Sequence, residues 1–253
     1  MTITVGSGPL GHRPGGKFNI DVPRRGVQYL EDFPRRIRAL VGGDVVVDSL
    51  GAKLLHQQHS LPVWCFPPED VRVDQLDEEA AWTYQDGLAE GLVGLRWDAV
   101  EVWLEEDEEV MFHPRDPYHR IDLRDSSRLV EVELDGETLA RSTNAVALFE
   151  AALPARWYLP AEDVAAELVA NPTVRTGCAY KGWARYDDVR VGERLEPFLA
   201  WRYEDPYEGM ERIKDRICFF NERVDLSLDG ELQERPRTQW SRTAWAEELS
   251  AQA

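Results

Sequence analysis

Residues 64–71 read Trp64-Cys65-Phe66-Pro67-Pro68-Glu69-Asp70-Val71, and residues 157–164 read Trp157-Tyr158-Leu159-Pro160-Ala161-Glu162-Asp163-Val164. The copies lie 93 positions apart, and the match extends upstream without a gap. Arg35, Gly43, Ser49, Ala52 and Leu55 recur as Arg128, Gly136, Ser142, Ala145 and Leu148. A match at one fixed offset marks a duplicated structural unit. Downstream the offset changes. Trp97-Asp98-Ala99-Val100-Glu101 matches Asn221-Glu222-Arg223-Val224-Asp225 at an offset of 124, so the second copy carries about 31 residues that the first lacks. They fall within 170–219.

The local chemistry is mostly that of strands. Ile37 to Val41 and Val45 to Val47 flank Gly42-Gly43-Asp44, and Leu129 to Leu134 and Thr138 to Ala140 flank Asp135-Gly136. Both are hairpin signals, since Asp-Gly and Gly-Gly accept the positive φ of tight two-residue turns. Pro160 and Glu162 predict a short helix over 163–170, and residues 69–76 fit either a helix or a strand. In the extra segment a strand from Trp183 to Tyr186 is expected to end at a turn at Asp187-Asp188, with a second turn at Gly192-Glu193. The expected fold is mainly β with short helices. It divides into a Gly/Pro-rich arm (1–25), a first, shortened unit (26–112), an inter-unit segment (113–126), a second, complete unit (127–235) and a tail (236–253).

Composition narrows the partners. The chain has 253 residues, room for two units of about 125, and its 43% hydrophobic content suffices for packed cores. The net charge of −18 repels phosphate backbones and anionic membranes, so no nucleic acid and no membrane partner is expected. No apolar run is long enough to span a bilayer, and no signal sequence is read at the N-terminus. Three cysteines without a C-x-x-C pair fit reduced thiols and a cytoplasmic location.

Two motifs near the N-terminus fail on context. Gly6 to Gly11 satisfies G-x-G-x-x-G and Gly11 to Lys17 satisfies G-x-x-x-x-G-K. Pro9 removes an amide, Pro14-Gly15-Gly16 opposes a following helix, and Phe18 stands where a P-loop needs Ser or Thr. No cofactor is implied. His56 and His59 have helical spacing but no third ligand nearby, and the acidic run 105–109 reads as a solvated face, so no metal site is expected.

Taken together, Asp135-Gly136…Ser142, Trp157 to Val164, Thr176-Gly177-Cys178-Ala179-Tyr180-Lys181-Gly182-Trp183-Ala184-Arg185-Tyr186, Ala200-Trp201-Arg202-Tyr203 and Trp103 to Glu108 resemble the family catalogued as domain of unknown function 427, in a two-copy arrangement. Ala179 stands where the family pattern has Pro, Asp187 where it has Trp, and Arg141 where it has Asp. The resemblance implies two tandem, small, antiparallel β-tent-like domains, the first reduced. Some catalogues attach a nucleotidyltransferase label to this family. The Gly-Ser and Asp-x-Asp pattern of such enzymes is not found here.

Candidate ligand-binding residues gather in the second unit. Cys178, Tyr180 and Lys181 could form an anion pocket or an activated nucleophile, with Gly177 and Gly182 letting a ligand approach the backbone. The alternative is a buried Cys and a Lys paired with Glu162 or Asp163. Tyr186 and Trp201 are either core or pocket wall. Glu162 and Asp163 recur as Glu69 and Asp70, which points to a structural task such as capping. His113, Arg115 and Tyr118 lie in a dense polar segment with Asp116, His119 and Arg120, suited to acid–base work or to anchoring a linker. These residues point to a protein that binds a small anionic molecule in a pocket of the second unit. An enzyme acting on such a molecule and a protein-interaction module are the alternatives, and room remains for a protein partner or a homo-oligomer.

Overall fold

A computed structural model describes residues 3–242 apart from 5, 7, 12, 13, 23, 24 and 59. Parts of both N-terminal glycine motifs, His59 and the end of the tail therefore lie outside the described residues. The chain forms two compact units: Met1–His119 with Ala151–Leu153, and Arg120–Glu150 with Pro154–Ala253. Among the described residues no helix is long and apolar enough to cross a membrane.

The first unit contains β1 (Gln28–Asp32), β2 (Ile37–Val41), β3 (Asp44–Ser49), β4 (Lys53–Gln57), β5 (Val63–Phe66), β6 (Ala81–Thr83), β7 (Val93–Leu95), β8 (Val102–Glu105) and β9 (Glu108–Glu109). They make one sheet in the order β1-β4-β5-β7-β6 and another in the order β3-β2-β8-β9. Every pairing is antiparallel.

The second unit repeats this plan with β10 (Ile121–Ser126), β11 (Val130–Leu134), β12 (Glu137–Ser142), β13 (Ala145–Glu150), β14 (Arg156–Leu159), β15 (Leu168–Cys178), β16 (Gly182–Val191), β17 (Arg194–Tyr203), β18 (Ile217–Phe219), β19 (Asp225–Leu228) and β20 (Glu231–Leu232). Its sheets run β10-β13-β14-β18-β17-β16-β15 and β12-β11-β19-β20. The additional residues form a long antiparallel meander, β15 to β17, which widens the larger sheet. Its outermost strand, β15, pairs among the described residues with β16 alone, and the pairing is irregular between Asn171 and Arg175.

Alternation gives the larger sheet two buried faces, because successive side chains point to opposite sides of a strand. Ala145, Ala147, Trp157, Leu159, Ile217 and Phe219 pack with the smaller sheet. Their neighbours Val146, Leu148, Tyr158 and Cys218 join Tyr186, Trp201, Tyr203 and Phe220 in a second, aromatic-rich core.

Both expected hairpins form, and their turns have the positive φ that the sequence anticipates: 60° and 86° at Gly42 and Gly43, 54° and 82° at Asp135 and Gly136. The helix expected over 163–170 does not form. A 3₁₀ turn covers Ala161–Asp163, after which Val164 makes a β-bridge with Ala140 and the chain extends into β15. The cause is Asp163, whose carboxylate accepts the Ser142 hydroxyl at 2.6 Å while the same hydroxyl accepts the Asn144 amide at 3.0 Å. The first unit repeats the lock: Ser49 donates to Asp70 at 2.6 Å and accepts the Gly51 amide at 3.1 Å. The recurring Ser and Asp thus fasten one strand to the following turn, and neither Asp caps a helix.

Ser142 is buried, so Ser142→Ala strands both Asp163 and the Asn144 amide. The substitution is expected to cost about 1–3 kcal/mol, measured by urea unfolding. A loss under about 0.3 kcal/mol would show that the lock is ornamental.

The turn expected at Asp187-Asp188 is also absent, since β16 continues to Val191 with an irregularity there against β17. Buried Asp187 pairs with Arg202, and Asp188 accepts the Phe198 amide at 2.9 Å and the Asn171 side chain at 3.0 Å. With both carboxylates satisfied, the strand need not break.

Candidate functional site

The turn between β15 and β16 carries Ala179, Tyr180 and Lys181. Lys181 is buried, and its ammonium donates to Glu150 Oε2 at 2.5 Å. Burial pushes this ammonium's pKa down hardest, but the charge of Glu150 and its hydrogen bond, with Cys178 alongside, hold it above the ordinary value. The pairing of Lys181 with Glu162 or Asp163 is not formed: Asp163 belongs to Ser142, and Glu162 is exposed. Gly182, at φ 93°, admits protein and not a ligand. A Cβ there would stand 3.3 Å from the Asp205 carbonyl oxygen and 3.4 Å from the Tyr207 ring.

Tyr186 and Trp201 lie in the aromatic core. The Trp201 indole donates to the Tyr158 hydroxyl at 3.1 Å, and Tyr186 shares a 2.7 Å hydrogen bond with Thr176. Burial pushes Tyr186 up to about 12 and Tyr158 well above its ordinary value, so both phenols are neutral at physiological pH. Beside them Arg156 Nη2 donates to Glu222 Oε1 at 2.7 Å, with the guanidinium packed on Trp201, Phe220 and Trp240.

His113, Arg115 and Tyr118 belong to the first unit. His113 Nδ1 lies 2.8 Å from the Pro114 carbonyl oxygen, and burial lowers its pKa. Tyr118 donates to Glu31 at 2.9 Å, and the other Glu31 oxygen lies 2.8 Å from His56 Nε2. Arg115 is exposed. The ten candidates therefore divide into a polar cluster in the first unit, a buried ion-pair cluster around Lys181, an aromatic core, and the 3₁₀ turn of Glu162 and Asp163.

A feature that none of these residues announces appears when equivalent positions are compared. The second unit has a cleft of about 480 Å³ lined by Arg124, Ser126, Arg128, Ala147, Phe149, Trp157, Asn221 and Leu226, among others. In the first unit the strand registers place Leu54, Trp64 and Trp103 where the second has Ala147, Trp157 and Leu226, and the aligned flanking residues place Phe33 and Trp97 where it has Ser126 and Asn221. Those aromatics are in mutual contact. Ring centroids are 6.0 Å apart for Phe33 and Trp64, 5.9 Å for Trp64 and Trp97, and 5.1 Å for Trp97 and Trp103. Arg35 caps them, 4.9 Å above Phe33. The buried Trp64 indole N–H has no hydrogen-bond partner among the described residues. Four smaller side chains thus leave open in the second unit the volume that the first fills.

The cleft joins an apolar floor to charged margins. Trp157 and Ala147 are buried in its floor, and Phe149 is 47% exposed. Arg128 pairs with Asp229 at 2.6 Å and Arg124 with Asp122 at 3.4 Å. Both are surface pairs, of the kind worth little in net stability, so an incoming anion can replace either carboxylate at small cost.

A family model matches residues 29–87 and 122–230, about two thirds of the chain and one segment in each unit. The chain belongs to the family described as Domain of unknown function (DUF427), whose short name carries the nucleotidyltransferase abbreviation. In the second unit the DUF427 match runs from β10 past β19, whereas in the first it stops at Gly87, before β7. The cleft therefore sits in the copy that follows the DUF427 pattern throughout. No curated protein matches the chain.

Proposed function

We propose that the second unit binds a small anionic molecule with a flat apolar body, seated in the cleft beside Trp157. The observation that carries this reading is the contrast between the units: one plan, filled by aromatic side chains in the first and open in the second. Ligand sites are typically concavities with apolar walls and a few placed polar groups. Trp157, Phe149 and Pro154 offer the flat apolar surface, and Arg128 and Arg124 offer guanidiniums suited to a carboxylate, sulfonate or phosphate. Lys181, committed to Glu150, supplies no comparable charge.

A fluorescence titration with 8-anilinonaphthalene-1-sulfonate, a flat aromatic anion, tests the reading. The native protein is expected to bind the probe stoichiometrically. Ser126→Phe with Ala147→Leu installs the first unit's residues at equivalent positions and is expected to weaken binding at least tenfold. Arg128→Gln is expected to weaken it severalfold and to flatten its salt dependence. Equal binding by the filled variant, with an unchanged near-ultraviolet dichroism spectrum, would remove the cleft from consideration.

A further inference from the structure

After β20 the chain runs alongside the segment 221–226, and four contacts hold it there. The Gln233 amide donates to the Leu226 carbonyl oxygen at 2.8 Å. Arg235 pairs with Asp225 at 2.8 Å, and the Thr238 hydroxyl donates to Glu222 Oε1 at 2.6 Å. Trp240 then lies against the Arg156 guanidinium, 5.5 Å from its ring centroid, and against Phe220 at 6.3 Å. A reciprocal cap fixes the last turn, since Thr238 accepts the Trp240 amide at 3.1 Å and the Ser241 hydroxyl accepts the Thr238 amide at 3.0 Å. Gln233, Glu234 and Pro236, between the first and last of these contacts, form one wall of the cleft.

We infer that residues 233–241 are a strap that positions this wall on the bound molecule, with Trp240 its anchor; the inference rests on the cleft's being the binding site. The strap follows β20, a two-residue strand, and beyond the Gln233 amide and the Arg235 ion pair its place depends on Thr238 and Trp240, neither of which lines the cleft. The half-buried Trp240 supplies the largest of these, combining a tilted ring contact with Phe220 and a cation–π contact to a buried guanidinium. A wall held in advance spares a ligand the entropy of ordering it, and the benefit falls mainly on the dissociation rate. Trp240 and Thr238 are on this view positioning residues, without contact to the ligand.

Stopped-flow binding of 8-anilinonaphthalene-1-sulfonate to Trp240→Ala and Trp240→Phe in the full chain tests the strap. Trp240→Ala is expected to raise the dissociation rate about tenfold with little change in association, and Trp240→Phe to restore it to within about twofold. Val174→Ala, a core truncation in β15, controls for lost stability and is expected to leave both rates unchanged. Unchanged rates in Trp240→Ala, while Ser126→Phe/Ala147→Leu still abolishes binding, would overturn the strap and leave the cleft standing. A native protein that ignores the probe, or a filled variant that binds it normally, overturns both. Equal acceleration by Val174→Ala would reduce Trp240 to a general stability contact and likewise refute the inference.

Discussion

Arg156→Met is expected to lower the stability of the protein by about 3–5 kcal/mol at pH 7, more than any substitution in the cleft. The Glu222 side chain is fully buried and that of Arg156 is 8% exposed, so removing the guanidinium leaves a carboxylate with nowhere to place its charge. In the native protein burial alone would raise the Glu222 pKa. The hydrogen bond and charge of Arg156, with the Thr238 hydroxyl, overcome this and hold it below the usual carboxylate value. A carboxylate depressed in the folded state stabilises above its unfolded pKa of about 4.3, and that stability is lost as pH falls through the folded value. In Arg156→Met the sign reverses. Unpaired Glu222 prefers its proton, so the deficit against the native protein is largest at neutral pH and shrinks on acidification. Urea unfolding at pH 7 and at pH 4 measures both parts, and Arg156→Met with Glu222→Gln is expected to recover more than half the loss. A single-variant loss below about 1 kcal/mol would mean that the pair is not a clasp.

Lys181→Met is expected to remove about 3 kcal/mol, by taking away the cation that Glu150 faces where its side chain is only 7% exposed. Here the pH dependence lies at the alkaline end. The Lys181 ammonium is held above its ordinary value, so its contribution is complete below the unfolded pKa of about 10.4 and is lost as pH rises through the folded one. Lys181→Met should therefore differ from the native protein throughout the neutral range and converge with it only in strong alkali. Lys181→Met with Glu150→Gln should regain part of the loss, and chemical unfolding with tryptophan fluorescence reads each variant. The folded variant is expected to keep its affinity for 8-anilinonaphthalene-1-sulfonate. A folded Lys181→Met without that affinity would move the ligand from Trp157 to the β15–β16 turn.

The parts of the fold that could be read from the residues are those governed by short-range chemistry. Gly42-Gly43 and Asp135-Gly136 require particular dihedral angles, and the structure places hairpin turns at both. The duplicated Trp…Pro…Glu-Asp-Val revealed two copies of one plan because both preserve the same Ser–Asp lock. The helix expected over 163–170 does not form: Pro160 and Glu162 signal a helix start whether the turn that follows continues or stops. What stops it is Ser142, 21 residues away in sequence. Ion pairs were less legible still. Arg156 and Glu222 are 66 residues apart, and Lys181 and Glu150 31 apart, with no periodicity joining them. The cleft is the opposite case. Its signal lies in the aligned copies, where Ala147 stands for Leu54 and Asn221 for Trp97, a difference of side-chain size and not of reactive chemistry.

The irregular outer strand β15 bears on how the protein behaves when crowded. A regular edge strand of 11 residues presents unpaired backbone groups on which a neighbouring molecule's strand can grow. In β15 the ladder is broken between Asn171 and Arg175, and exposed Pro172 contributes no amide donor. Arg175, also exposed, folds over Trp183 at 4.7 Å and sets a charge beside the largest apolar group on the neighbouring strand. The extension that enlarges the second unit thus carries its own guard against sheet-to-sheet aggregation, and the net charge of −18 adds mutual repulsion at a distance.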